Sequence, residues 1–199
     1  MTDDNATRLE AVGQKLEDLT DSPLYAYRQE NKYKPVLGEG SPTANIMFIG
    51  EAPGASEAKS GRPFVGASGR FLNEMLESIG LKREDVYITN IVKDRPPDNR
   101  DPKADEIALY TPLLLEQIEI IQPKVIATLG RFAMDFILKT FNVPEQGQKI
   151  SALRGQELGA QTTYGPITVV PLFHPAVALY NVGQRADLLA DFEILKKFI

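Results

Sequence analysis

The chain has 199 residues, of which 43% are hydrophobic and 25% charged, and this allows one soluble domain with a substantial core. It has no cysteine, so disulfides, thiolate metal sites and cysteine nucleophiles are excluded, and its one histidine argues against a multi-histidine metal site. The net charge of −5 argues mildly against a nucleic-acid partner, although such binding depends on the local field and not on the total charge.

We expect a cytoplasmic protein that forms a single domain over residues 1–199. No apolar run approaches the roughly 20 residues needed to span a membrane. The acidic, polar N-terminus does not have the pattern of a secretory signal. Residues 1–6 are expected to form a frayed tail.

The first predicted element is an amphipathic helix over about residues 7–20. Its apolar face is formed by Leu9, Val12, Leu16 and Leu19. Four nearly continuous apolar runs follow, and such runs are typical of strands buried on both faces of a parallel sheet. These predicted strands are Asn45–Ile49, Val86–Val92, Lys124–Leu129 and Ile167–Phe173.

Helical patterns separate the strands, so the chain alternates between strand and helix. The predicted helices are Ser68–Ile79, about Lys103–Ile121, one from near Arg131, and one from about Arg185 to the C-terminus. This alternation predicts a three-layer α/β domain with right-handed crossovers. In such a sheet the ligand site lies outside the carboxyl ends of the strands.

A glycine-rich loop follows the first predicted strand and is the most informative motif in the chain. It runs from Gly50-Glu-Ala-Pro-Gly54 through Glu57 to Gly61-Arg-Pro-Phe-Val-Gly66. Such loops bring backbone N–H groups and selected side chains against a ligand. Its two glutamates, Glu51 and Glu57, and a Phe64 that we expect to be exposed indicate a site for a flat, polar molecule.

Further motifs follow the later strands, and together with the loop they resemble the family 4 uracil-DNA glycosylases over roughly residues 38–181. They are Thr89-Asn-Ile-Val-Lys93 with Arg95-Pro-Pro97, Asn99-Arg100, Pro123-Lys-Val-Ile126 with Leu129-Gly130, Leu153-Arg-Gly155 and Phe173-His-Pro-Ala176. The resemblance implies an α/β/α sandwich around a four-stranded parallel sheet. It also implies a monofunctional DNA repair enzyme that flips uracil out of DNA and hydrolyses its N-glycosidic bond, leaving an abasic site.

The chain departs from this family at the ligands of its metal cluster. Most members carry a four-iron, four-sulfur cluster on four cysteines, and two of those positions would fall here at Asp94 and Tyr110. With no thiolate available, we expect no iron–sulfur cluster and no other cofactor. Hydrogen bonds and packing that include Tyr110, and basic partners of Asp94, are expected to replace the cross-link that the cluster provides.

The N-terminal pair of cluster positions has two possible alignments. Spacing places the pair at Asp18 and Asp21, whereas alignment on the Pro-Leu pair that follows places it at Leu19 and Ser22. The first alignment leaves a second hypothesis open, in which Asp18, Asp21 and Asp94 hold a hard cation.

The resemblance assigns base recognition to three residues. Phe64 is the expected stacking platform for the flipped base, unless it is an ordinary core phenylalanine. The Asn90 amide can donate to uracil O4 and accept from N3–H, a pair that cytosine presents in reverse. Ala52 falls where a distant relative, the family 1 enzyme, carries its catalytic aspartate, so another group must take over that task.

Three residues are candidates for the chemistry itself. His174 is expected to hydrogen-bond uracil O2, where negative charge develops as the bond breaks. Glu51 or Glu57 could position the hydrolytic water and stabilise the cationic sugar. For Glu57 the resemblance leaves a second role open, which is exclusion of the thymine methyl group.

Basic and small residues near these motifs are candidates for contacts with DNA. Ser68 could cap its helix or present the helix N-terminus to a phosphate. Residues 175–180 could wedge into the duplex where the base has left, although their apolar side chains could equally pack in the core. The full set of candidate DNA contacts is Arg62, Ser68, Lys93, Arg95, Arg100, Arg154, Ala176 and Leu179.

Two other functions stay open from the sequence. The same chemistry could act on hypoxanthine, xanthine or hydroxymethyluracil, or the protein could bind uracil-containing DNA without turnover. Asn90 and Phe64 favour uracil, and the glutamates with His174 favour catalysis. We expect a monomer that acts on single- or double-stranded DNA and has no membrane partner.

Overall fold

A computed structural model describes residues 2–199, which form a six-stranded mixed sheet with helices packed on it. The strand order is β1-β3-β2-β4-β6-β5. The four central strands are parallel, and the two edge strands are antiparallel to their neighbours. The strands are β1 Glu39–Gly40, β2 Ile46–Gly50, β3 Tyr87–Asn90, β4 Val125–Leu129, β5 Leu158–Thr162 and β6 Gly165–Leu172.

The α/β class is confirmed, but the prediction of a sheet of four strands is wrong because two edge strands carry no continuous apolar run. The four predicted strands are the four parallel ones. Strand β5 alternates buried and exposed residues because only one of its faces is covered, and β1 has just two residues. A pattern search for strands buried on both faces therefore passes over both of them.

The helices lie between these strands as the alternation predicts, with shifts of a few residues at their ends. Residues 2–6 are helical, so α1 begins earlier than the helix predicted from about residue 7, while Met1 lies outside the described residues. The last helix stops at Phe192 and is followed by a 3-10 segment, Glu193–Phe198. The α-helices are α1 Thr2–Glu17, α2 Tyr25–Glu30, α3 Ala55–Ser60, α4 Ala67–Ser78, α5 Ala104–Ile121, α6 Arg131–Thr140, α7 Ile150–Leu153, α8 Val177–Tyr180 and α9 Arg185–Phe192.

The two faces of the sheet support two separate apolar cores. Along β2, Met47 and Ile49 belong to one core with residues of α1, α5 and α6, and Ile46 and Phe48 belong to the other with residues of α4 and α9. This alternation follows from the two-residue period of a strand. The result is the predicted three-layer arrangement. No helix within residues 2–199 is long and apolar enough to cross a bilayer.

A buried polar cluster joins the N-terminal segment to the rest of the domain, and we call it the Tyr110 network. The Tyr110 hydroxyl donates to Asp94 Oδ2 at 2.6 Å and lies 2.6 Å from Ser22 Oγ. Arg28 pairs with Asp94 at 3.3 Å and donates to the carbonyl of Glu17 at the end of α1. Burial raises the pKa of Tyr110, and the Asp94 carboxylate adds to this rise, so the hydroxyl keeps its proton. The network ties α1, α2, α5 and the segment after β3 together.

Substitution of Tyr110 by phenylalanine should therefore destabilise the domain. The change keeps the ring but removes a hydroxyl that bonds two buried partners, and an orphaned buried polar group costs about 1–3 kcal/mol. Urea unfolding followed by circular dichroism measures the difference. Tyr180→Phe is the matched control, because that side chain is 90% exposed and the change should stay within about 0.5 kcal/mol. Equal stabilities for the two variants would show that the network contributes nothing.

Candidate active site

A cavity of about 390 Å³ opens at the carboxyl ends of the parallel strands. It is lined by Glu51, Ala52, Gly54, Glu57, Phe64, Ser68, Asn90, Asn99, His174 and Ala176. The structure thus brings together every residue predicted to act in base recognition or chemistry. A larger hollow of about 660 Å³ lies beside α6 and β5, but its lining has no ionisable side chain. The smaller cavity is therefore the candidate active site.

Asn90 supplies an unpartnered acceptor to this cavity. It is the last residue of β3 and is 1% exposed, and its Oδ1 has no hydrogen-bond partner among residues 2–199. Its register partner on β2 is Gly50, where an added Cβ would lie only 2.4 Å from that oxygen. An unsatisfied buried polar atom costs about 1–3 kcal/mol, so the domain holds this amide ready at the expense of stability.

Phe64 forms one wall of the cavity but is not exposed as the sequence suggested. Its side chain is 7% exposed because the ring packs into the core beneath the loop. Its ring centroid lies 5.7 Å from that of His174. The backbone of Phe64 is left-handed, with φ of 49°, which costs a non-glycine residue about 1–3 kcal/mol. The surrounding loop must therefore stabilise a backbone conformation of Phe64 that would be unfavourable in an unconstrained chain.

Glu57 is anchored to the loop backbone. Its Oε1 accepts hydrogen bonds from the N–H groups of Val65 at 2.9 Å and Gly66 at 2.8 Å. Gly66 immediately precedes α4, so this carboxylate fixes the path of the chain between Phe64 and that helix. One oxygen of Glu57 is thus engaged in holding the loop.

Glu51 has a different environment from Glu57, although both line the cavity. It follows β2 directly, and burial raises its pKa to about 7, with the nearby Asp101 carboxylate adding to the rise and Arg131 opposing it. A carboxyl group with this pKa can both accept and release a proton near neutral pH. Glu51 is therefore the better placed of the two for proton transfer.

His174 presents a neutral imidazole to the cavity. Its Nδ1 accepts the backbone N–H of Ala176 at 3.1 Å, which leaves the ring proton on Nε2. The ring is partly buried, and this burial lowers its pKa to about 4, against the opposing effect of Glu57. The histidine is therefore an uncharged hydrogen-bond donor at neutral pH.

Lys93 cannot contact a phosphate, so this part of the predicted DNA surface is wrong. The side chain is fully buried, and its Nζ bonds Thr89 Oγ1 at 2.6 Å, the Asn90 carbonyl at 2.8 Å and Gln117 Oε1 at 2.5 Å. Burial lowers the pKa of Lys93 well below its usual value. The lysine stabilises the end of β3 from inside the domain.

The four arginines that were predicted to contact DNA lie nearer the surface than Lys93 does, and each has a partner within the protein. Arg62 pairs with Glu39, Arg100 with Glu106 and Arg154 with Asp191. Arg95 lies over the Tyr33 ring and donates to the Tyr33 hydroxyl and to Asn99. Their contacts with DNA stay predictions.

Residues 176–180 lie beside the cavity and expose apolar surface. Ala176 lines the cavity, Leu179 is 44% exposed, and Tyr180 is the most exposed of the large apolar side chains described. Leu179 thus does not pack in the core, whereas Val177 packs against the core and Ala178 is buried. Contact of Leu179 with DNA stays a prediction.

Two residues near the site were missed by sequence reasoning. Asn99 lines the cavity and has a left-handed backbone, with φ of 52°. Asp101 acts on Glu51 through its charge. The motif Asn99-Arg100 marked this segment, but nothing in its composition shows that it folds back over the end of β2.

Comparison with known proteins agrees with this geometry. Residues 37–195 match the model of the uracil DNA glycosylase superfamily, and the chain belongs to that superfamily. It is 48% identical over 163 residues to a type-4 uracil-DNA glycosylase of Sulfurisphaera tokodaii, covering 81% of this chain and 73% of the relative. The type-4 enzyme of Archaeoglobus fulgidus is 43% identical over 84% of this chain and 82% of its own. That of Thermotoga maritima is 41% identical over 96% and 94%.

The positions of the family's cluster ligands do not fit an iron–sulfur cluster in this chain. Tyr110 bonds to both Ser22 and Asp94 within the Tyr110 network, and Leu19 is partly buried against the core. None is a thiolate, and the chain has no cysteine. Because Ser22 lies in the same network as Asp94 and Tyr110, the structure favours the alignment on Leu19 and Ser22 over the alignment on Asp18 and Asp21.

The surroundings of Asp18, Asp21 and Asp94 do not support the hypothesis of a hard cation held by all three. Within residues 2–199 no group of three or more histidine, cysteine, aspartate or glutamate side chains could hold a metal ion. Asp18 and Asp21 are exposed, whereas Asp94 is buried and bonded to Tyr110 and Arg28.

The raised pKa of Glu51 can be measured directly. In ¹³C NMR of side-chain carboxyl groups, Glu51 should titrate near pH 7. Asp101→Asn should lower this value, because removal of a neighbouring negative charge favours the ionised form. Glu10→Gln, at an exposed position of α1, is the control and should leave the titration unchanged. A wild-type Glu51 that titrates near its ordinary value would contradict this description of the site.

Proposed function

We propose that this protein is a DNA repair uracil-DNA glycosylase, which flips uracil out of DNA and hydrolyses its N-glycosidic bond to leave an abasic site. The observation that carries the proposal is the unpartnered buried oxygen of Asn90, which lines one cavity with the Phe64 ring and the His174 imidazole. The relatives named type-4 uracil-DNA glycosylase support it.

Uracil is recognised by shape and by one amide. The flipped base stacks on Phe64, and such stacking contributes about 1–3 kcal/mol per base. Asn90 Oδ1 accepts from N3–H while its Nδ2 donates to O4. Cytosine has an acceptor at N3 and a donor at position 4, so it would leave the buried amide oxygen without a partner. Ala52 leaves room beside the base.

His174 stabilises the leaving group. As the bond between the sugar C1′ and the base N1 breaks, its electron pair moves onto the base and negative charge develops at O2. The Nε2–H of the neutral His174 is fixed by the Nδ1 contact with Ala176 and donates to this oxygen. A preorganised donor of this kind is worth about 2.7–4 kcal/mol.

Glu51 acts on the hydrolytic water, and Glu57 holds the loop. The water oxygen forms the new bond to the cationic C1′, and its proton passes to the Glu51 carboxylate while the uracil anion leaves. The negative charge of Glu51 also stabilises the oxocarbenium-like sugar. Glu57 contributes by fixing Val65 and Gly66 through its Oε1.

DNA is held by the surface around the cavity. Arg62, Arg95, Arg100 and Arg154 contact phosphates, and Ser68 at the start of α4 presents the helix N-terminus to a phosphate near the flipped nucleotide. Ala176 and Leu179 enter the space that the base has left.

The enzyme works as a cytoplasmic monomer without an iron–sulfur cluster or other cofactor, on single- or double-stranded DNA. The Tyr110 network carries the structural role that the family assigns to the cluster. Iron present in equimolar amount in the purified protein would refute this part of the proposal.

The activity is tested with a panel of oligonucleotides that carry uracil, hypoxanthine, xanthine or hydroxymethyluracil, each single- and double-stranded. Alkali cleavage reveals abasic product, and we expect it first and fastest from uracil. Fastest cleavage of another base would make the protein a glycosylase of different specificity. Tight binding to uracil-containing DNA without product would make it a binding protein.

Substitution of Asn90 by alanine should separate activity from stability. Loss of the amide removes base recognition, and we expect the rate on uracil to fall by about 10²-fold or more. The domain should be as stable as the wild type or more stable, because the change removes an unpartnered buried oxygen.

His174→Ala should cost about 10²–10³-fold in rate. Urea unfolding alongside the assay separates this result from simple misfolding, and wild-type turnover in either variant contradicts the assigned roles.

The two glutamates can be distinguished by glutamine substitution and by pH. Glu57→Gln keeps an oxygen that can accept from Val65 and Gly66, so most activity should survive, whereas Glu51→Gln should lose about 10²–10⁴-fold. In the wild type, kcat/KM should rise about tenfold per pH unit up to about 7, as Glu51 loses its proton, and then level off. His174 stays neutral above its pKa of about 4, so its titration causes no further change in kcat/KM over this pH range. A larger loss in Glu57→Gln than in Glu51→Gln would reverse the assignment.

A further inference from the structure

Arg83 is a partly buried arginine that holds the loop from behind the cavity. It begins a 3-10 turn, Arg83–Asp85, just before β3, and its side chain is 19% exposed. It is not among the described residues that line the cavity. Its guanidinium nevertheless reaches the backbone beside the stacking platform. It donates to Pro63 O at 2.6 Å, Phe64 O at 3.1 Å, Asn73 Oδ1 at 3.1 Å and Glu39 Oε1 at 2.7 Å.

The carbonyl groups of Pro63 and Phe64 determine the position of the Phe64 ring. They belong to the peptide planes on either side of the Phe64 Cα, so fixing both planes fixes the φ and ψ of that residue. Phe64 needs such support because its φ of 49° is one that aromatic residues rarely adopt. The planar guanidinium fork can hold two oxygens at once in a set geometry, which a point charge cannot.

Glycines close the loop from the other sides. An added Cβ at Gly69 would lie 1.8 Å from the Phe64 carbonyl oxygen. The backbone of α4 therefore packs closely against the same carbonyl group that accepts a hydrogen bond from Arg83. At Gly50 an added Cβ would lie 2.7 Å from the Phe64 ring. The platform is therefore enclosed by backbone on two sides and held by hydrogen bonds from Arg83.

Glu39 keeps Arg83 in place. It lies on β1 and accepts from Arg83 and Arg62, which makes a link between the edge of the sheet and the loop. Burial opposes ionisation of Glu39, but the hydrogen bonds from Arg62 and Arg83 outweigh it and lower the pKa of the carboxyl group. The charged pair thus persists at neutral pH and orients the guanidinium.

We propose that Arg83 is a positioning residue for base excision, which acts by holding the carbonyl groups of Pro63 and Phe64 so that the ring is ready to stack on the flipped base. This inference rests on the proposed glycosylase function. Arg83 itself touches neither the base nor the sugar.

A double-mutant cycle with Phe64 tests the inference. Arg83→Gln should lower kcat/KM on a uracil oligonucleotide by about tenfold to a hundredfold in the otherwise native enzyme, because a misplaced platform costs that much. In a Phe64→Ala background the platform is already absent, so the same change should cost less than about twofold. Equal losses in the two backgrounds overturn the inference.

Arg83→Lys and Lys82→Gln complete the experiment. Arg83→Lys keeps the charge but loses the fork, so it should give an intermediate loss, again only when Phe64 is present. If Arg83→Gln does not fold, the cycle with Arg83→Lys decides the question. Lys82→Gln removes a neighbouring exposed charge and should keep wild-type kcat/KM, which controls for weaker attraction of DNA.

Stability and wild-type activity separate the remaining outcomes. Urea unfolding of each variant shows whether a rate loss merely follows the folded fraction, and a loss that does so overturns the inference. No product from the wild-type enzyme on uracil-containing DNA refutes the proposed function. An active wild type with additive losses refutes only the role of Arg83.

Discussion

The cavity depends on one pairing in the sheet, that of Gly50 with Asn90 at the carboxyl ends of two parallel strands. Because Gly50 has no Cβ, the Asn90 amide and the Phe64 ring can both approach the space that a methyl group would fill. The left-handed turn at Phe64 and the hydrogen bonds from Arg83 then hold the ring against this point. The strained residue and the unpartnered amide oxygen lower the stability of the domain, and they are supported by strands β2 and β3, whose residues are all buried.

The properties of each ionisable side chain in the site depend on its surroundings and not only on its residue type. Glu57 meets two backbone N–H groups and serves the loop, while burial and Asp101 raise the pKa of Glu51 so that it can exchange a proton near neutrality. Burial also lowers the pKa of His174, so its neutral ring can donate a hydrogen bond from Nε2 without adding charge. Two identical side chains are thus suited to different tasks because their surroundings differ.

The four central strands could be predicted from the sequence, because buried parallel strands are apolar throughout. The motifs at the ends of these strands, together with the family resemblance, pointed to most of the residues that line the cavity, but not to Asn99. Strands β1 and β5 could not be predicted, because an edge strand needs only one covered face. The burial of Lys93 could not be predicted either, because no sequence pattern reveals its neutral partners. Thr89 and Asn90 are close to it in the chain, whereas Leu37 and Gln117 come from distant segments. The different surroundings of Glu51 and Glu57 could not be predicted either, because they depend on burial and on backbone N–H groups that only the fold brings near each carboxyl group.

The Tyr110 network has a consequence for the cell that makes this protein. A joint built from a phenol, a carboxylate, a hydroxyl and a guanidinium needs neither iron nor sulfide delivered during synthesis, since every part is encoded in the chain. It also offers no thiolate for peroxide or nitric oxide to attack. Oxidants that act on thiolates therefore have no target in this joint.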